Sequence, residues 1–332
     1  MLAGLVGIVV AAGLLSSGVE GPWAQSSLLL VLLAGSAAWI CARIATGWLP
    51  ASEPRLFIWA AALAATALSA LLLPATAEAR SAWISAAAGL SFFPLVSVID
   101  AESRERLERI LRIAAWVLVL LAAYQRLRGV LDPQSILGDK NAFAGAILLL
   151  LPFAVCAGNG VLAAGLILCL WGTRSVGAWL GLSAALLLHK RAVGAVAFWF
   201  GAAAGFIGLV AVYAKLQSLQ VLERLEWWRE LWRMIAAAPW LGLGLGLWLI
   251  GLVVLLKPAP AGRRFGPNAI LIYGLVDYPL SNPSVFWLFC VSAALAAPAT
   301  GRALNIPSRH RPLLCALVVA LSGAAGFLVW RQ

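Results

Sequence analysis

The chain has 332 residues, of which 63% are apolar and only 11% are charged. This composition is too apolar for a soluble globular domain and predicts a protein that folds in a lipid bilayer. The net charge of +11 does not indicate nucleic-acid binding, because Lys and Arg stand singly between apolar runs. The five cysteines have no metal-ligand spacing, which predicts small core residues and neither disulfides nor metal ligands.

Apolar runs of span length follow one another along the chain. A helix needs about 20 apolar residues to cross a bilayer, so this length predicts an all-α, polytopic transmembrane helix bundle of roughly 11 to 13 spans. Residues 1–332 then form a single integral membrane domain. Two alternatives stay open, one kinked helix around Gly172 to Ser175 and a re-entrant segment at 267–279. The predicted spans are residues 2–17, 27–46, 56–73, 81–98, 110–124, 141–156, 161–172, 175–188, 192–212, 241–256, 267–279, 284–298 and 312–330.

Basic residues predict the orientation. A cytoplasmic N-terminus places most basic loops inside, as the positive-inside rule requires. The first segment lacks the basic start of a cleavable signal peptide, so we expect it to remain as a span. The basic residues predicted to lie inside are Arg43, Arg55, the Arg104 to Arg112 cluster, Lys190, Arg191, Lys257, Arg263, Arg264, Arg302, Arg309 and Arg311.

The polar stretch Asp100 to Arg112 interrupts the apolar pattern. Three glutamates in it each precede an arginine by four residues, a spacing that stabilises a solvated helix by a few tenths of a kcal/mol per pair. This stretch predicts a cytoplasmic connector helix. The pairs are Glu102/Arg106, Glu105/Arg109 and Glu108/Arg112.

A second polar stretch lies within residues 214–240. Its apolar residues follow helical spacing, which predicts an amphipathic helix on the outer membrane interface. Its arginines, Arg224, Arg229 and Arg233, could either pair with neighbouring glutamates or bind an anionic lipid-linked group. The glutamates are Glu223, Glu226 and Glu230, and the apolar stripe is Val221, Leu225, Trp228, Trp232 and Ile235.

Arg174 lies in a polar interruption between two apolar runs, near the predicted outer face. A guanidinium at this depth costs several kcal/mol unless it is paired or hydrated. It could be an interfacial arginine that reaches to water. Alternatively, it could bind phosphate oxygens through its fork of N–H donors, a geometry that Lys lacks.

Two further polar positions stand beside spans. In Gly138 to Phe143, either Asp139 or Asn141 could cap the following helix, or Lys140, Asn141 and the helix start could hold an anionic head group. Asp277 interrupts a later apolar run, either as a functional carboxylate or as the partner of an external arginine.

These motifs occur in a fixed order over roughly residues 130 to 300. Gly138-Asp139-Lys140-Asn141-Ala142-Phe143-Ala144-Gly145 opens one span, and Thr173-Arg174-Ser175 opens another. The Arg/Trp helix, Pro239-Trp240-Leu241-Gly242-Leu243-Gly244 and Asp277-Tyr278-Pro279-Leu280 follow. In this order the chain resembles the O-antigen ligase and polymerase family of bacterial envelope enzymes.

The resemblance implies a glycosyltransferase that needs no metal or cofactor and works at the periplasmic face of the bacterial inner membrane. Its donor would be an undecaprenyl-pyrophosphate-linked glycan. The resemblance implies that Arg174 binds the donor pyrophosphate, and Arg224, Arg229, Arg233, Lys140 and Asn141 are further candidates for binding it. Catalytic candidates are Arg174, Glu226 and Asp277, and Glu223, Glu230 and Asp139 also stay open as the base.

The chain departs from the family pattern after Gly246. The family's large periplasmic loop carries a His-Asn pair there, whereas this chain continues into Leu247-Trp248-Leu249-Ile250. Two other hypotheses therefore remain. One is a catalytically inactive relative that binds the lipid-linked glycan or scaffolds polysaccharide assembly proteins. The other is a transporter of the same lipid, against which the sequence shows no paired half-repeats.

Overall fold

The computed structural model describes residues 2–15, 22–50, 88–93, 95–130, 135, 137–188, 205, 226, 229–230, 233, 261–274, 280, 282–296 and 303–330. This part of the chain is helical apart from a two-stranded ribbon and short turns, which confirms the all-α prediction. The elements are α1 (Leu2–Leu15), α2 (Pro22–Ala45), β1 (Trp48–Pro50), α3 (Ala101–Leu127), α4 (Lys140–Cys156), α5 (Gly160–Thr173), α6 (Val176–Leu188), α7 (Ala261–Gly274), α8 (Pro283–Ala296), β2 (Ala303–Asn305) and α9 (Arg311–Trp330).

Most described helices coincide with predicted spans to within a few residues. The runs 110–124 and 267–279 are exceptions, because their helices already begin at Ala101 and Ala261. The predicted spans 56–73, 192–212 and 241–256 lie outside the described residues, apart from the helical Gly205. Residues 88–93 and 95–97 are helical and belong to the predicted span 81–98.

The polar stretch after Asp100 is not a separate connector. It forms the first half of α3, a continuous helix of 27 residues that also contains the predicted span 110–124. Residues 112–116 contain neither Gly nor Pro, so nothing in the chain ends the helix where its polarity changes. All three predicted ion pairs are present, with N–O distances of 2.6 Å for Glu102/Arg106, 3.4 Å for Glu105/Arg109 and 4.0 Å for Glu108/Arg112.

Asp100 caps the N-terminus of α3. Its Oδ1 accepts a hydrogen bond of 2.7 Å from the backbone N–H of Ser103. This bond is the main reason why the pKa of Asp100 lies below its usual value, with a smaller contribution from Arg43. The carboxylate form therefore stabilises the folded state, and this contribution is lost as the pH falls through the lowered pKa.

We expect Asp100→Ala to reduce the free energy of unfolding by about 1 kcal/mol at neutral pH, because the cap hydrogen bond is lost. The difference from the wild type should shrink in strong acid, where the Asp100 carboxylate is protonated. Unfolding in detergent at both pH values measures this. Asp100→Asn keeps an oxygen acceptor but does not titrate, so its stability should change less with pH. An unchanged difference between Asp100→Ala and wild type in acid would contradict the assignment.

The core of the bundle is formed by α4 and α8. All residues from Ala142 to Ala154 in α4 are buried, and so are all residues from Ser284 to Ala296 in α8. A helix that is apolar on every side is stable only when neighbours surround it. The neighbours of α4 include α3, α5, α6, α7 and α8.

A short ribbon joins the end of α2 to the start of α9. The strands β1 and β2 pair antiparallel, with Trp48 opposite Asn305 and Pro50 opposite Ala303. The Arg311 guanidinium donates to the carbonyl of Ala45 over 3.1 Å, which fixes α9 to the end of α2. The predicted cytoplasmic loops that follow α2 and precede α9 therefore lie at the same end of the bundle.

The two ends of the bundle differ in what they carry. The first end, which we call the Arg311 end, also holds the start of α3, because Arg43 attracts Asp100. From there α3 extends over about 40 Å, at about 1.5 Å per residue. Near the far end of α3, Gln125 bonds to Ser135, just before α4 begins. We call this second end the Tyr273 end, since Tyr273 contacts the start of α4 there.

One segment in the described part of the chain, Ser26–Ala45, is both long and apolar enough to cross a membrane, with 20 residues and a mean hydropathy of 2.1. Several shorter apolar helices accompany it, among them Lys140–Cys156 and Pro283–Ala296. Large apolar side chains are also exposed on the outside of the bundle, including Leu127 at 87%, Val161 at 73% and Leu313 at 71%. Apolar surface of this kind needs a partner or a lipid environment.

Candidate functional site

The helical pattern breaks at Arg174, between α5 and α6. Arg174 has a left-handed backbone with φ 53° and ψ 24°, and its N–H donates to the carbonyl of Trp171 over 3.2 Å. The alternative of one kinked helix is therefore wrong. A non-glycine residue in this conformation is strained and persists only where its surroundings hold it.

Buried hydroxyls hold the break in place. The Thr173 hydroxyl donates to the carbonyl of Leu170 over 2.8 Å and accepts the Ser175 N–H over 3.3 Å. Thr173 and Ser175 are both buried, whereas Arg174 between them is exposed. The turn therefore presents its guanidinium outward from a fixed backbone.

Tyr273 links this turn to the start of α4. Its hydroxyl lies 2.8 Å from the Ser175 hydroxyl and donates to the carbonyl of Asn141 over 3.3 Å. A phenol has one proton, so the Ser175 hydroxyl donates to Tyr273, which in turn donates to Asn141. Tyr273 is completely buried. This relay brings together two motifs, 138–143 and 173–175, that the sequence predicted separately.

Glycine contacts position Tyr273. A Cβ at Gly181 of α6 would overlap the Ala269 carbonyl oxygen and lie 3.0 Å from the Cβ of Tyr273. A Cβ at Gly266 of α7 would lie 3.0 Å from the Leu148 carbonyl oxygen in α4. Helix α7 therefore packs against the backbones of both α4 and α6, and small residues make such close approach possible.

The start of α4 is capped by Asp139. Its carboxylate accepts the N–H groups of Asn141 over 3.2 Å and of Ala142 over 2.9 Å. The predicted cap is confirmed, and it is Asp139 that provides it. Because this carboxylate already occupies two helix-start donors, an anion here would depend on side chains, of which the half-buried Lys140 is the cationic one.

The loop before α4 is anchored by Gln125, which the sequence analysis did not identify. The Gln125 side-chain amide donates to the Ser135 carbonyl and accepts the Ser135 N–H, both over 2.8 Å. Ser135 has a left-handed backbone with φ 53°. The only sequence signal was a polar residue directly after an apolar span.

The structure describes four residues of the predicted amphipathic segment, at positions 226, 229, 230 and 233. Glu226, Arg229 and Arg233 are helical and exposed, which agrees with the predicted polar face of the amphipathic segment. Arg224 and Asp277 lie outside the described residues. The convergence of these five residues with Arg174 therefore stays a prediction.

We expect Tyr273→Phe to destabilise the protein by about 1 to 2 kcal/mol, because the buried Ser175 hydroxyl loses its acceptor. Ser175→Ala removes the donor instead, and the double variant should be less destabilised than the sum of the two. Denaturant unfolding of the four proteins completes this cycle. Additive effects would mean that the Ser175 to Tyr273 hydrogen bond does not contribute.

Among the described residues, no cluster of three or more His, Cys, Asp and Glu side chains could hold a metal ion. The cations Arg174 and Lys140 adjoin the two residues, Ser175 and Asn141, that Tyr273 joins. This arrangement suits an anion with several oxygens, such as a phosphate group. Comparisons of this chain with protein-family models, curated proteins and solved structures found no match.

Proposed function

We propose that this chain is a multi-pass protein of the bacterial inner membrane and an O-antigen ligase-like glycosyltransferase. It would move a glycan from an undecaprenyl-pyrophosphate donor to an acceptor at the periplasmic face. The observation that carries the proposal is the Tyr273 relay, because one phenol bonds both to the Asn141 carbonyl and to the Ser175 hydroxyl. These residues belong to two of the motifs in which the resemblance to that family lies.

The membrane topology is supported by the two ends of the bundle. Among the described residues, Arg43, Arg309, Arg311 and the arginines from Arg104 to Arg112 lie towards one end. They outnumber Arg126, Arg128, Lys140 and Arg174 at the other, where the relay contacts α4. The positive-inside rule then assigns the Arg311 end to the cytoplasm and the Tyr273 end to the periplasm. The exposed apolar side chains of α3, α5 and α9 suit contact with lipid.

The donor is an amphiphile, so its site needs cations next to a lipid-exposed apolar surface. Arg174 meets this requirement, since Trp171 and Leu168 on the preceding helix are exposed at 67% and 72%. Trp171 also packs edge-on against Trp179 across the break, with ring centroids 6.1 Å apart. The pyrophosphate would bind Arg174 and Lys140, and the polyprenyl chain would follow the exposed side of α5.

In the proposed reaction an acceptor hydroxyl attacks the anomeric carbon of the donor sugar. The bond from that carbon to the pyrophosphate oxygen breaks, and undecaprenyl pyrophosphate leaves. Arg174 and Lys140 stabilise the charge that develops on the leaving group. A carboxylate takes the hydroxyl proton. The candidates for this base are Glu226 and Asp277. Asp277 follows Tyr273 by four positions in the sequence.

One observation favours a second function, that of an inactive relative which binds the lipid-linked glycan for an assembly complex. His310 is the only histidine among the described residues. Its Nε2 accepts a hydrogen bond from Arg309 at the Arg311 end. This is the end opposite to the proposed donor site. In the described part of the chain, no histidine therefore lies beside the proposed donor site, where it could act as the base for the acceptor.

The test measures binding and turnover in the same samples. The purified protein in lipid nanodiscs is mixed with a synthetic undecaprenyl-pyrophosphate sugar and a panel of acceptor glycans, and undecaprenyl phosphate without a sugar serves as the control. Binding followed by glycan transfer supports the enzyme. Binding without transfer to any acceptor supports the inactive relative, and failure to bind the donor refutes both.

A further inference from the structure

Two cysteines face each other where α2 and α9 pack together. The Cys41 thiol lies 3.9 Å from the Cys315 carbonyl oxygen, and the Cys315 thiol lies 3.8 Å from the Cys41 carbonyl oxygen. Each thiol therefore points to the backbone of the other residue. Both side chains are half-buried, and neither is in a disulfide. The two residues are 274 positions apart in the sequence.

The other cysteines have different surroundings. Cys169 and Cys290 are buried in α5 and α8, as predicted for core residues. Cys156 is exposed at the end of α4, so its assignment to the core was wrong. The sequence likewise gave no indication that Cys41 and Cys315 meet, because nothing in their local spacing records a contact between two distant helices.

The contact between α2 and α9 joins distant parts of the chain along its whole length. Arg311 bonds to Ala45 at one end, and Gly326 packs against Leu30 towards the other. In the described part of the chain, α2 is the main helical neighbour of α9. A covalent bond across this contact would therefore control how firmly α9 is attached to the bundle.

We propose that Cys41 and Cys315 are an oxidisable pair, and that a disulfide between them locks α9 onto α2. A disulfide requires the two Cβ atoms to lie about 3.5 to 4.5 Å apart. Rotation of each side chain turns its sulfur towards the other while the Cβ atoms stay in place, so the bond closes where the backbones of α2 and α9, whose carbonyl oxygens already lie within 4 Å of the opposing thiols, hold the Cβ atoms at this distance. Small thiol-disulfide oxidants, such as oxidised glutathione, are the class of reagent that would close the bond.

The exchange takes two steps. The thiolate of one cysteine attacks a sulfur of the oxidant disulfide, forms a mixed disulfide and releases one reduced thiol. The second cysteine, as a thiolate, then attacks the protein sulfur of the mixed disulfide and displaces the second reduced thiol. Two electrons pass from the cysteine pair to the oxidant, and the two thiol protons end on the released thiols.

The location of the pair sets its resting state. Cys41 lies in the last turns of α2 and Cys315 in the first turns of α9, at the Arg311 end of the bundle. If this end faces the cytoplasm, as the proposed topology requires, the pair is reduced in the resting cell. Oxidative stress would then close the disulfide and attach α9 more firmly. Only this cellular part rests on the proposed topology, since the bond itself depends only on the α2–α9 contact.

The experiment exposes the full-length protein in nanodiscs to oxidised glutathione, alkylates the remaining thiols and digests the chain. We expect mass spectrometry to find the peptides of Cys41 and Cys315 joined, and the oxidised protein to melt at a higher temperature. Cys156→Ser should keep this crosslink, whereas Cys41→Ser should lose it. If the exposed Cys156 reacts fully with glutathione while Cys41 and Cys315 remain unlinked, the proposal is wrong.

A second measurement covers the possibility that Cys41→Ser perturbs folding. The melting temperature of each variant is measured first under reducing conditions, where all should resemble the wild type. Oxidation should then raise it in the wild type and in Cys156→Ser but not in Cys41→Ser or Cys315→Ser. An equal rise in all four proteins would mean that the oxidant acts elsewhere, and would refute the proposed lock.

Discussion

Gly181→Ala is expected to destabilise the protein by about 2 kcal/mol, the largest loss of stability we anticipate from a single added methyl group. The new Cβ would overlap the Ala269 carbonyl oxygen, and backbone atoms cannot move aside as the end of a side chain can. In an open helix the same change would stabilise by up to about 1 kcal/mol, because Ala favours the helix more than Gly does. Denaturant unfolding in detergent measures the difference.

Two further glycines make this test specific. Outside the neighbouring turns of its own helix, no atom of the described residues lies within 4 Å of a Cβ added at Gly323 in α9, so Gly323→Ala should be neutral or slightly stabilising. Gly266→Ala, on the other side of α7, should destabilise like Gly181→Ala, since its Cβ would meet the Leu148 carbonyl oxygen. Equal effects of the substitutions at Gly181 and Gly323 would show that close backbone packing does not hold α7 in place.

Arg174→Ala is expected to weaken binding of the undecaprenyl-pyrophosphate sugar by about 30-fold or more. This corresponds to the roughly 2 kcal/mol or more that charge-assisted hydrogen bonds to a phosphate contribute. Arg174→Lys keeps the charge but loses the paired N–H donors, so its binding should be intermediate. Titration of the purified variants with a fluorescent donor analogue measures the affinities.

Arg174→Gly separates binding from folding. Glycine adopts the left-handed backbone of this position without strain, so this variant should be at least as stable as the wild type while it binds donor no better than Arg174→Ala. Arg106→Ala is the control, because Arg106 is an exposed arginine in the first half of α3, towards the Arg311 end and away from the proposed site. A wild-type affinity in Arg174→Gly would refute the role of the guanidinium.

The helices could be predicted from sequence where the chain itself marks them. The apolar runs that became α4 and α8 are flanked by polar residues, and Asp139 stands where a cap is required. Ion pairs in α3 also followed from a fixed spacing. The prediction that a separate connector helix ends at Arg112 was wrong, since a change of polarity along a helix requires no break in the backbone.

The relay at the site could not be predicted, because its members are far apart in the chain. Tyr273 lies within an apolar run, where the sequence predicts no more than an aromatic core residue. Its hydroxyl acquires a role only through Ser175, 98 positions away, and Asn141, 132 positions away. Contacts between glycine and a distant backbone, such as that of Gly181, likewise depend on how whole helices pack.

The same separation has a consequence for biosynthesis. During translation α4, α5 and α6 are made more than 70 residues before α7. Until α7 joins them, the Ser175 hydroxyl has no phenol to donate to, and α4 lacks one of the neighbours that bury it. Under the proposed topology, the helices insert into the membrane first and associate afterwards. In the nascent protein the Arg174 turn is therefore held only by the local hydrogen bonds of Thr173, and the proposed donor site is completed only after α7 has packed.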